Sequence, residues 1–257
     1  MSRVALITGA GQGIGKQIAL AHAREGDSLV LAARQVANLE ATAAEAEHFG
    51  VETLVIGTDV SDPAAVDAMA AAAIARFGGV DVVVNNSGIG GPSGPLWELD
   101  FAEWQETLAV NVDGVFLVCR ALLPHMVERG SGSVVNIGSI SGKRGLWGRT
   151  PYTTSKAALV GLTRTLAWEA GAHGIRVNLI SPGFVAGPRL DWVIAAQAAG
   201  RGLGEDEVRA EFAGESPLAR LTEASDIADA CVFLASDAAK AITGADLNVN
   251  SGVVMYG

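Results

Sequence analysis

Tyr152 and Lys156 lie four residues apart in a stretch whose apolar spacing predicts an α-helix from Thr150 to Gly171. Positions four apart share one face of a helix, so the phenol and the ammonium are expected to project together. A free phenol titrates near pH ~10 and is a poor proton shuttle at neutral pH. A cation one turn away stabilises the phenolate form, which makes the pair suitable for general acid–base catalysis. Because the same spacing also occurs on solvated helix faces, its meaning depends on the rest of the chain.

A glycine-rich stretch near the N-terminus predicts a site for the phosphates of a dinucleotide. Residues 9–15 follow a β-branched strand, Val4–Thr8, and precede a helical segment at 16–24. Glycines let the backbone turn sharply and approach a pyrophosphate, which then lies at the helix N-terminus. The spacing differs from the common G-x-G-x-x-G pattern, and a glycine turn that binds nothing is the alternative for this stretch alone.

The elements that must position these residues alternate between strand and helix along the whole chain. Helical patterns, one of them opened by the capping pair Asp100 and Glu103, separate strand-like segments. The predicted strands are 4–8, 29–33, 53–57, 81–84, 133–137, 176–180 and 245–249. This alternation predicts an α/β fold: one domain, residues 1–257, with a doubly wound, Rossmann-type parallel sheet of about seven strands and helices on both faces.

Residues 187–214 interrupt the alternation. They are helical in character, with Leu190, Trp192 and Ile194 among their apolar residues, and they follow the carboxyl end of the sixth strand. Ligands of open parallel sheets bind at that end of the strands. The segment is therefore predicted to be a helical lid over the substrate.

Composition narrows the class of protein. The chain has 257 residues, of which 49% are hydrophobic and 18% charged, and this composition supports a well-filled core. A formal net charge of −10 disfavours nucleic acid and anionic membranes as partners. No apolar run of membrane-spanning length, signal peptide or metal-ligand spacing is evident, and Cys119 and Cys231 are interpreted as reduced core residues. A soluble cytoplasmic protein is expected.

Several further residue groups occur in a fixed order from Val4 to Gly252. They are Thr8-Gly9-Ala10-Gly11-Gln12-Gly13-Ile14-Gly15, Asp59-Val60, Asn85-Asn86-Ser87-Gly88, Asn111, Ser139, Tyr152 with Lys156, and Pro182-Gly183. In this order they resemble the motifs of the classical short-chain dehydrogenases/reductases, including TGxxxGIG and NNAG, with Ser87 where alanine is usual. A second departure is Gly187, since the family usually has a threonine near this position that binds the nicotinamide carboxamide.

The resemblance implies a catalytic tetrad. Ser139 would hold the oxygen of the substrate, and Tyr152 would give or take its proton. Lys156 would support Tyr152 and bind the nicotinamide ribose, while Asn111 would shape its helix and hold a relay water. The predicted cofactor-binding residues are Gly9, Gln12, Gly13, Ile14, Gly15, Arg34, Asp59, Val60, Asn86, Ser87, Gly88, Tyr152, Lys156, Pro182, Gly183 and Val185.

The resemblance also implies a homotetramer. The helices that carry Asn111 and Tyr152 would pack against their symmetry mates. The apolar residues expected to share these faces are Leu117, Leu122, Leu162 and Trp168.

Cofactor preference depends on the end of the second strand. An acid about 20 residues beyond the glycine loop binds the ribose 2′-hydroxyl of NAD and repels the 2′-phosphate of NADP. Ala33 occupies that position, and Arg34 beside it offers a guanidinium suited to a phosphate. The sequence therefore favours NADP(H), with NAD(H) possible because Arg34 could instead stack on adenine.

These residues predict an oxidoreductase that transfers a hydride between NADP(H) and a secondary alcohol or ketone. The alternatives are a non-catalytic redox sensor on the same fold, which would not need Tyr152 and Lys156 together, and a sugar-nucleotide epimerase or dehydratase. The latter usually has a larger C-terminal substrate domain.

The substrate itself stays open between an acyl thioester (3-oxoacyl type), an acidic or other sugar, and an aromatic acid. Its pocket is expected in 89–97, 141–147 and 184–193, which contain Trp97, Trp147, Phe184 and Trp192. Lys143, Arg144 and Arg189 are expected to favour an anionic substrate, unless they serve as ion pairs at a subunit contact.

Overall fold

Seven short runs of apolar and β-branched residues form one parallel sheet in the computed structural model, which describes residues 2–256. Its order, β3-β2-β1-β4-β5-β6-β7, confirms the predicted doubly wound sheet. The chain reverses direction across the sheet between β3 and β4, so the carboxyl ends of β1 and β4 border a crevice. The strands are β1 Val4–Thr8, β2 Ser28–Ala33, β3 Thr53–Gly57, β4 Val82–Asn85, β5 Gly132–Ile137, β6 Ile175–Pro182 and β7 Asp246–Val249.

Helices cover both faces of the sheet because successive strand residues point to opposite sides. Leu6 lies in the core with α3, α5 and α6, whereas its neighbour Ile7 lies in the core with α1, α2 and α9. The helices are α1 Gly13–Arg24, α2 Val36–Glu47, α3 Pro63–Phe77, α4 Phe101–Leu108, α5 Gly114–Arg129, α6 Thr150–Gly171, α7 Pro188–Arg201, α8 Glu205–Gly214 and α9 Ala224–Ala235. The predicted helices on both faces are confirmed.

A π-helical segment, Ala109–Asp113, joins α4 and α5 into one continuous helical run. Asp100 caps the N-terminus of α4, because its carboxylate accepts a hydrogen bond from the Ala102 amide at 2.6 Å. The joined run Phe101–Arg129 is long and apolar enough to span a membrane by length and composition, contrary to the sequence expectation. Buried residues of α5 lie in the protein core, however, and core helices of soluble proteins meet the same criterion.

Two of the four residues predicted for a subunit interface are core residues instead. Leu117 and Leu122 are only 6% and 1% exposed and pack under the sheet, so that prediction was wrong for them. Trp168 on α6 is 89% exposed, and Phe116 on α5 is also exposed. Leu162 is partly buried against the same core, so Trp168 is the one of the four that is largely exposed.

Residues 187–214 form a pair of helices, α7 and α8, with an apolar cluster of their own. Leu190, Ile194 and Val208 are buried in this cluster. Two ion pairs join the helices, Arg209 to Asp191 at 2.7 Å and Arg201 to Glu211 at 2.6 Å. The helical character expected for the segment is confirmed, and the ion pairs and apolar cluster hold α7 and α8 together.

A buried polar trio links the sheet to α6. Asn85 at the end of β4 donates to Asn136 Oδ1 on β5 at 2.9 Å, and Asn136 Nδ2 donates to Thr163 Oγ1 on α6 at 2.9 Å. Asn136 and Asn85 are also register partners in the sheet. Since all three side chains are buried, the hydrogen bonds fix how α6 is oriented on the sheet.

Candidate active site

Tyr152 and Lys156 lie together in the first turns of α6, as their spacing predicts. Pro151 occupies the first turn, where its missing N–H costs nothing. Lys156 is 5% exposed, and its Nζ lies 5.9 Å from the centre of the Tyr152 ring. Nζ donates to the Ile137 carbonyl at the end of β5 at 2.8 Å. Burial lowers the pKa of Lys156, the nearby Tyr152 phenol opposes this shift, and the charge of Arg189 adds to it.

Ser139 follows β5 and begins a 3-10 turn, Ile140–Gly142, that packs on α6. Its Oγ accepts a hydrogen bond from the Ser141 amide at 3.1 Å. Gly142 approaches closely, since a Cβ atom there would lie 2.9 Å from the Lys156 carbonyl carbon and oxygen. The structure thus places Ser139 at the same sheet edge as Lys156, with its hydroxyl hydrogen still available to a ligand.

Asn111 lies in the π-helical segment and is fully buried. Its Oδ1 accepts from the Ile89 amide at 2.8 Å, and its Nδ2 donates to the Ile89 carbonyl at 2.9 Å and to Ser155 Oγ at 3.0 Å. Both amide hydrogens are used, so the side chain holds the loop after β4 against α6. A Cβ atom at Gly88 would lie 3.2 Å from Asn111 Oδ1 and 3.5 Å from Lys156 Nζ, which brings Gly88 between them.

The glycine loop lies at the carboxyl end of β1 and leads into α1. Gly9 and Gly13 have φ values of +68° and +53°, which favour glycine. A Cβ atom at Gly15 would overlap the Gly9 carbonyl oxygen, so the loop requires glycine there as well. Gln12 precedes α1 without a side-chain cap, so within residues 2–256 the first amides of the helix have no side-chain acceptor. This is an anion-binding geometry.

Thr8 and Asn86 join this loop to the loop after β4. Thr8 Oγ1 accepts from the amides of Asn86 and Ser87, each at 3.0 Å. Asn86 Nδ2 donates to the carbonyls of Thr8 at 3.0 Å and Gly9 at 3.2 Å. The amide of Asn86 thus shapes the loop, a role that its assignment as a ligand contact did not include.

Asp59 and Arg34 lie where the adenosine end of a dinucleotide is expected. Asp59 accepts from Ser61 Oγ at 2.7 Å and from its amide at 3.0 Å, and these bonds lower the pKa of Asp59, with the charge of Arg34 adding to the effect. Arg34 directly follows β2, is exposed, and has no carboxylate within 4.0 Å among residues 2–256. Val60 is buried against Gly114. A Cβ atom at Gly114 would lie 2.8 Å from a methyl carbon of Val60.

The other predicted cofactor residues lie at the start of α1 and at or just after the end of β6. Ile14 packs into the core under α1, and Pro182 ends β6. A Cβ atom at Gly183 would lie 2.8 Å from Asn250 Cβ, and Val185 pairs with Thr222. Gly187 has φ +139° and ψ 179° just before α7, a conformation that threonine adopts only with strain. The backbone at position 187 thus favours glycine over threonine.

Two of the three cationic side chains expected to face the substrate, Lys143 and Arg144, form ion pairs with carboxylates instead. The Lys143 side chain is only 4% exposed and its Nζ lies 2.9 Å from Asp246 Oδ1, so its prediction as a substrate contact was wrong. Arg144 lies over the Phe184 ring and 3.5 Å from Glu215. Trp97, Trp147 and Trp192 are exposed, in keeping with an open cleft.

Arg149 is a site residue that the sequence reasoning missed. The guanidinium carbons of Arg149 and Arg189 lie 5.6 and 5.3 Å from the centre of the Tyr152 ring. Arg149 is the non-helical residue that precedes α6, so helical periodicity gives no signal that its side chain lies over the Tyr152 ring.

These residues fit a nicotinamide dinucleotide. The uncapped α1 and the crowded glycines suit a pyrophosphate, and Arg34 with Asp59 suits the adenosine end. Lys156 has hydrogen-bond donors to spare beside Tyr152, since only the bond to Ile137 is found among residues 2–256.

Comparison with known proteins agrees with this geometry. Residues 9–254 match the family model described as enoyl-(acyl carrier protein) reductase. The chain is 36% identical over 256 residues to a 3-oxoacyl-[acyl-carrier-protein] reductase of Staphylococcus aureus, covering 99% of each.

Two solved structures are also similar. An actinorhodin polyketide ketoreductase variant with NADPH superposes with a TM-score of 0.94 at 35% identity, covering 99% of this chain and 98% of that one. A xylitol dehydrogenase bound to NAD+ superposes with a TM-score of 0.92 at 30% identity, and the match covers 97% of this chain and 98% of that one. The chain belongs to the classical short-chain dehydrogenase/reductase family, and it is an NAD(P)-dependent oxidoreductase acting on alcohol or keto groups.

Proposed function

We propose that this enzyme interconverts a secondary alcohol and a ketone with NADP(H), through Ser139, Tyr152, Lys156 and Asn111. One observation supports this most strongly: the buried Lys156 ammonium lies 5.9 Å from the Tyr152 ring at the carboxyl end of β5. Lys156 has no carboxylate within 4.0 Å of its Nζ among residues 2–256, and a lysine held in this way stabilises a neighbouring phenolate. That arrangement suits proton transfer to or from an oxygen of the substrate.

Each of the four side chains has a separate role in the transfer of one proton. Ser139 Oγ donates to the substrate oxygen while accepting from the Ser141 amide, which fixes its direction. Tyr152 donates its proton to that oxygen in reduction and accepts it in oxidation. Lys156 stabilises the phenolate that remains, and Asn111 is a positioning residue that holds Ile89 and the π-helical segment in place.

NADP(H), when bound, supplies or accepts the hydride. The uncapped amides of α1 would hold its pyrophosphate, and Arg34 would bind the 2′-phosphate of the adenosine ribose. The absence of an acid at Ala33 supports NADP over NAD. Solved relatives carry NADPH in one case and NAD+ in the other, so this preference rests on Arg34 and Ala33.

The α7–α8 pair acts as the substrate lid in this proposal, because it follows the carboxyl end of β6 and packs around its own small core. The enzyme is further proposed to be a cytoplasmic homotetramer. The exposed Phe116 and Trp168 on α5 and α6 support a subunit interface, and two buried free cysteines suit a reducing compartment.

A redox sensor without catalysis is less well supported, since it has no use for a buried lysine beside a tyrosine. Tyr152→Phe decides between the two, and the exposed Tyr256 offers a matched control. Tyr152→Phe is expected to bind NADPH as the wild type does and to lose at least about 10²-fold in kcat, whereas Tyr256→Phe keeps its activity. Steady-state rates and fluorescence titration measure the two properties. Undiminished turnover in Tyr152→Phe would remove Tyr152 from the mechanism.

A further inference from the structure

Arg149 and Arg189 point their guanidinium groups at one place beside Tyr152. A Cβ atom placed at Gly90 would lie 2.6 Å from Arg189 Nη2 and 2.9 Å from Arg149 Nη2. Both nitrogens therefore face the same point, and glycine at position 90 makes room for them. Arg149 Nη2 also donates to the Gly90 carbonyl at 2.6 Å, which fixes that guanidinium.

Neither arginine has a carboxylate partner within 4.0 Å among residues 2–256. Burial lowers the pKa of Arg149, and the charge of Arg189 lowers it further. With Lys156, three cations surround one tyrosine, and holding them together without an anion costs free energy. The place between Arg149 and Arg189 is thus suited to a bound anion.

The phosphates of the cofactor do not account for these arginines. The pyrophosphate site lies at α1, at the carboxyl end of β1. Gly90 and Arg149 come from the loops after β4 and β5, and Arg189 comes from the first turn of α7, all next to Tyr152, where the reacting part of the substrate must lie. The anion expected here belongs to the substrate.

We infer that the substrate carries a planar oxyanion such as a carboxylate, which Arg149 and Arg189 bind together beside the reacting carbonyl or hydroxyl carbon. This inference rests on the proposed function of Tyr152. Guanidinium groups match a carboxylate geometrically, with paired N–H donors facing paired oxygens. Because both arginines lie against the Tyr152 ring, the acid group and the reacting carbon are close together on one small molecule.

The competing role for the two arginines is to stabilise the Tyr152 phenolate. Their guanidinium carbons lie over the ring, and neither group donates a hydrogen bond to the phenol oxygen within the described part of the chain. This geometry favours a ligand between the arginines over direct support of the phenolate. The two roles also differ in what they predict for charged and neutral substrates.

The experiment compares short straight-chain oxo acids with their methyl esters, using NADPH and then NADH. The variants are Arg149→Gln, Arg189→Gln, the double variant and Gly90→Ala, with Arg144→Gln as control because its guanidinium lies beside Glu215. The wild type is expected to prefer the acid to its ester in kcat/KM. Each single variant should raise KM for the acid about 10- to 100-fold while leaving the ester unchanged. Gly90→Ala should act in the same direction, and Arg144→Gln should keep the wild-type ratio.

Equal kcat/KM for acid and ester in the wild type would overturn the inference while leaving the proposed function intact. Equal losses on both substrates, with an alkaline shift of the pH–rate profile, would assign the arginines to the phenolate instead. Calorimetry of the same acids with the NADPH complex gives a readout besides turnover. If no ketone or alcohol reacts, the proposed function fails, and weaker acid binding by the double variant would still support the two arginines as the anion site. Unchanged binding by that variant would reject it.

Discussion

Arg34 carries the prediction of cofactor choice at the level of single residues. It directly follows β2 and lies near Asp59, with no ion pair among residues 2–256. Ala33→Asp combined with Arg34→Ala should move the preference from NADPH to NADH, because a carboxylate binds the ribose hydroxyls and repels a 2′-phosphate. The ratio of the two kcat/KM values is expected to change by about 10²-fold or more.

The control is Arg144→Ala, a partly exposed arginine beside Glu215, which should keep the wild-type ratio. A wild-type enzyme that already has the higher kcat/KM with NADH would contradict the interpretation of Arg34.

Residue type and spacing were enough to predict Tyr152 and Lys156, since local helix geometry alone brings them together. The contacts of Lys143 and Arg149 could not be predicted in this way. Lys143 is neutralised by Asp246, more than a hundred residues away in the chain, and no local pattern reports that contact. The convergence of Arg149 with Arg189 also depends on contacts distant in sequence, since Gly90, Arg149 and Arg189 lie in two different loops and the first turn of α7.

Asp27 lies between α1 and β2, and its contacts with His22 and Arg3 allow a test of how elements are held together. Its carboxylate accepts from His22 Nδ1 at 2.7 Å and from Arg3 at 2.9 and 2.8 Å. Burial alone would raise the pKa of Asp27, but the hydrogen bonds from His22 and Arg3 outweigh it and hold the pKa below its usual range. A carboxylate with a lowered folded-state pKa stabilises the fold above its unfolded pKa, and this contribution is lost as pH falls through the folded value.

Asp27→Asn should therefore destabilise the protein at pH ~7 by about 2–3 kcal/mol, with the difference shrinking below pH ~4. Urea unfolding midpoints across this range measure the effect. Asp67→Asn removes an exposed ion pair with Arg120 and should change the midpoint little at any pH. A difference for Asp27→Asn that stays constant down to acid pH would contradict the pKa assignment.

The α7–α8 pair is expected to open more readily than the sheet, because its cluster is small and is built mainly from its own two helices. Amide hydrogen exchange in residues 188–214 should be orders of magnitude faster than in β1 and β4, and NADPH should slow it. Exchange as slow as that of the central strands, or unchanged by NADPH, would argue against a lid.

The strands and α6 could be predicted because burial and periodicity are local properties of the chain. The π-helical segment could not. Its extra residue per turn is held by Asn111 bonding to Ile89, which lies 22 residues earlier, so a continuous α-helix was the natural reading of 101–129. The lid helices were foreseen only as helical character, since their ends depend on Gly187 and Gly202 adopting positive φ.

Assembly is the prediction that belongs to the whole molecule. Trp168 is 89% exposed on α6, and covering it in a subunit interface would remove a large apolar side chain from water. Light scattering should report a tetramer for the wild type at micromolar concentration and smaller species for Trp168→Glu. Phe49→Glu changes an exposed aromatic residue between α2 and β3 and should leave the tetramer intact. A monomeric wild type would contradict the proposed assembly.

The buried trio of Asn85, Asn136 and Thr163 constrains how relatives of this protein can diverge. Each member is bonded to another inside the core, so exchanging one alone for an apolar residue strands a buried amide or hydroxyl at a cost of about 1–3 kcal/mol. Replacing all three by apolar residues of matching volume removes that penalty. The three positions should therefore vary as a set, and replacing the central Asn136 alone should be the costliest step because it strands both Asn85 and Thr163.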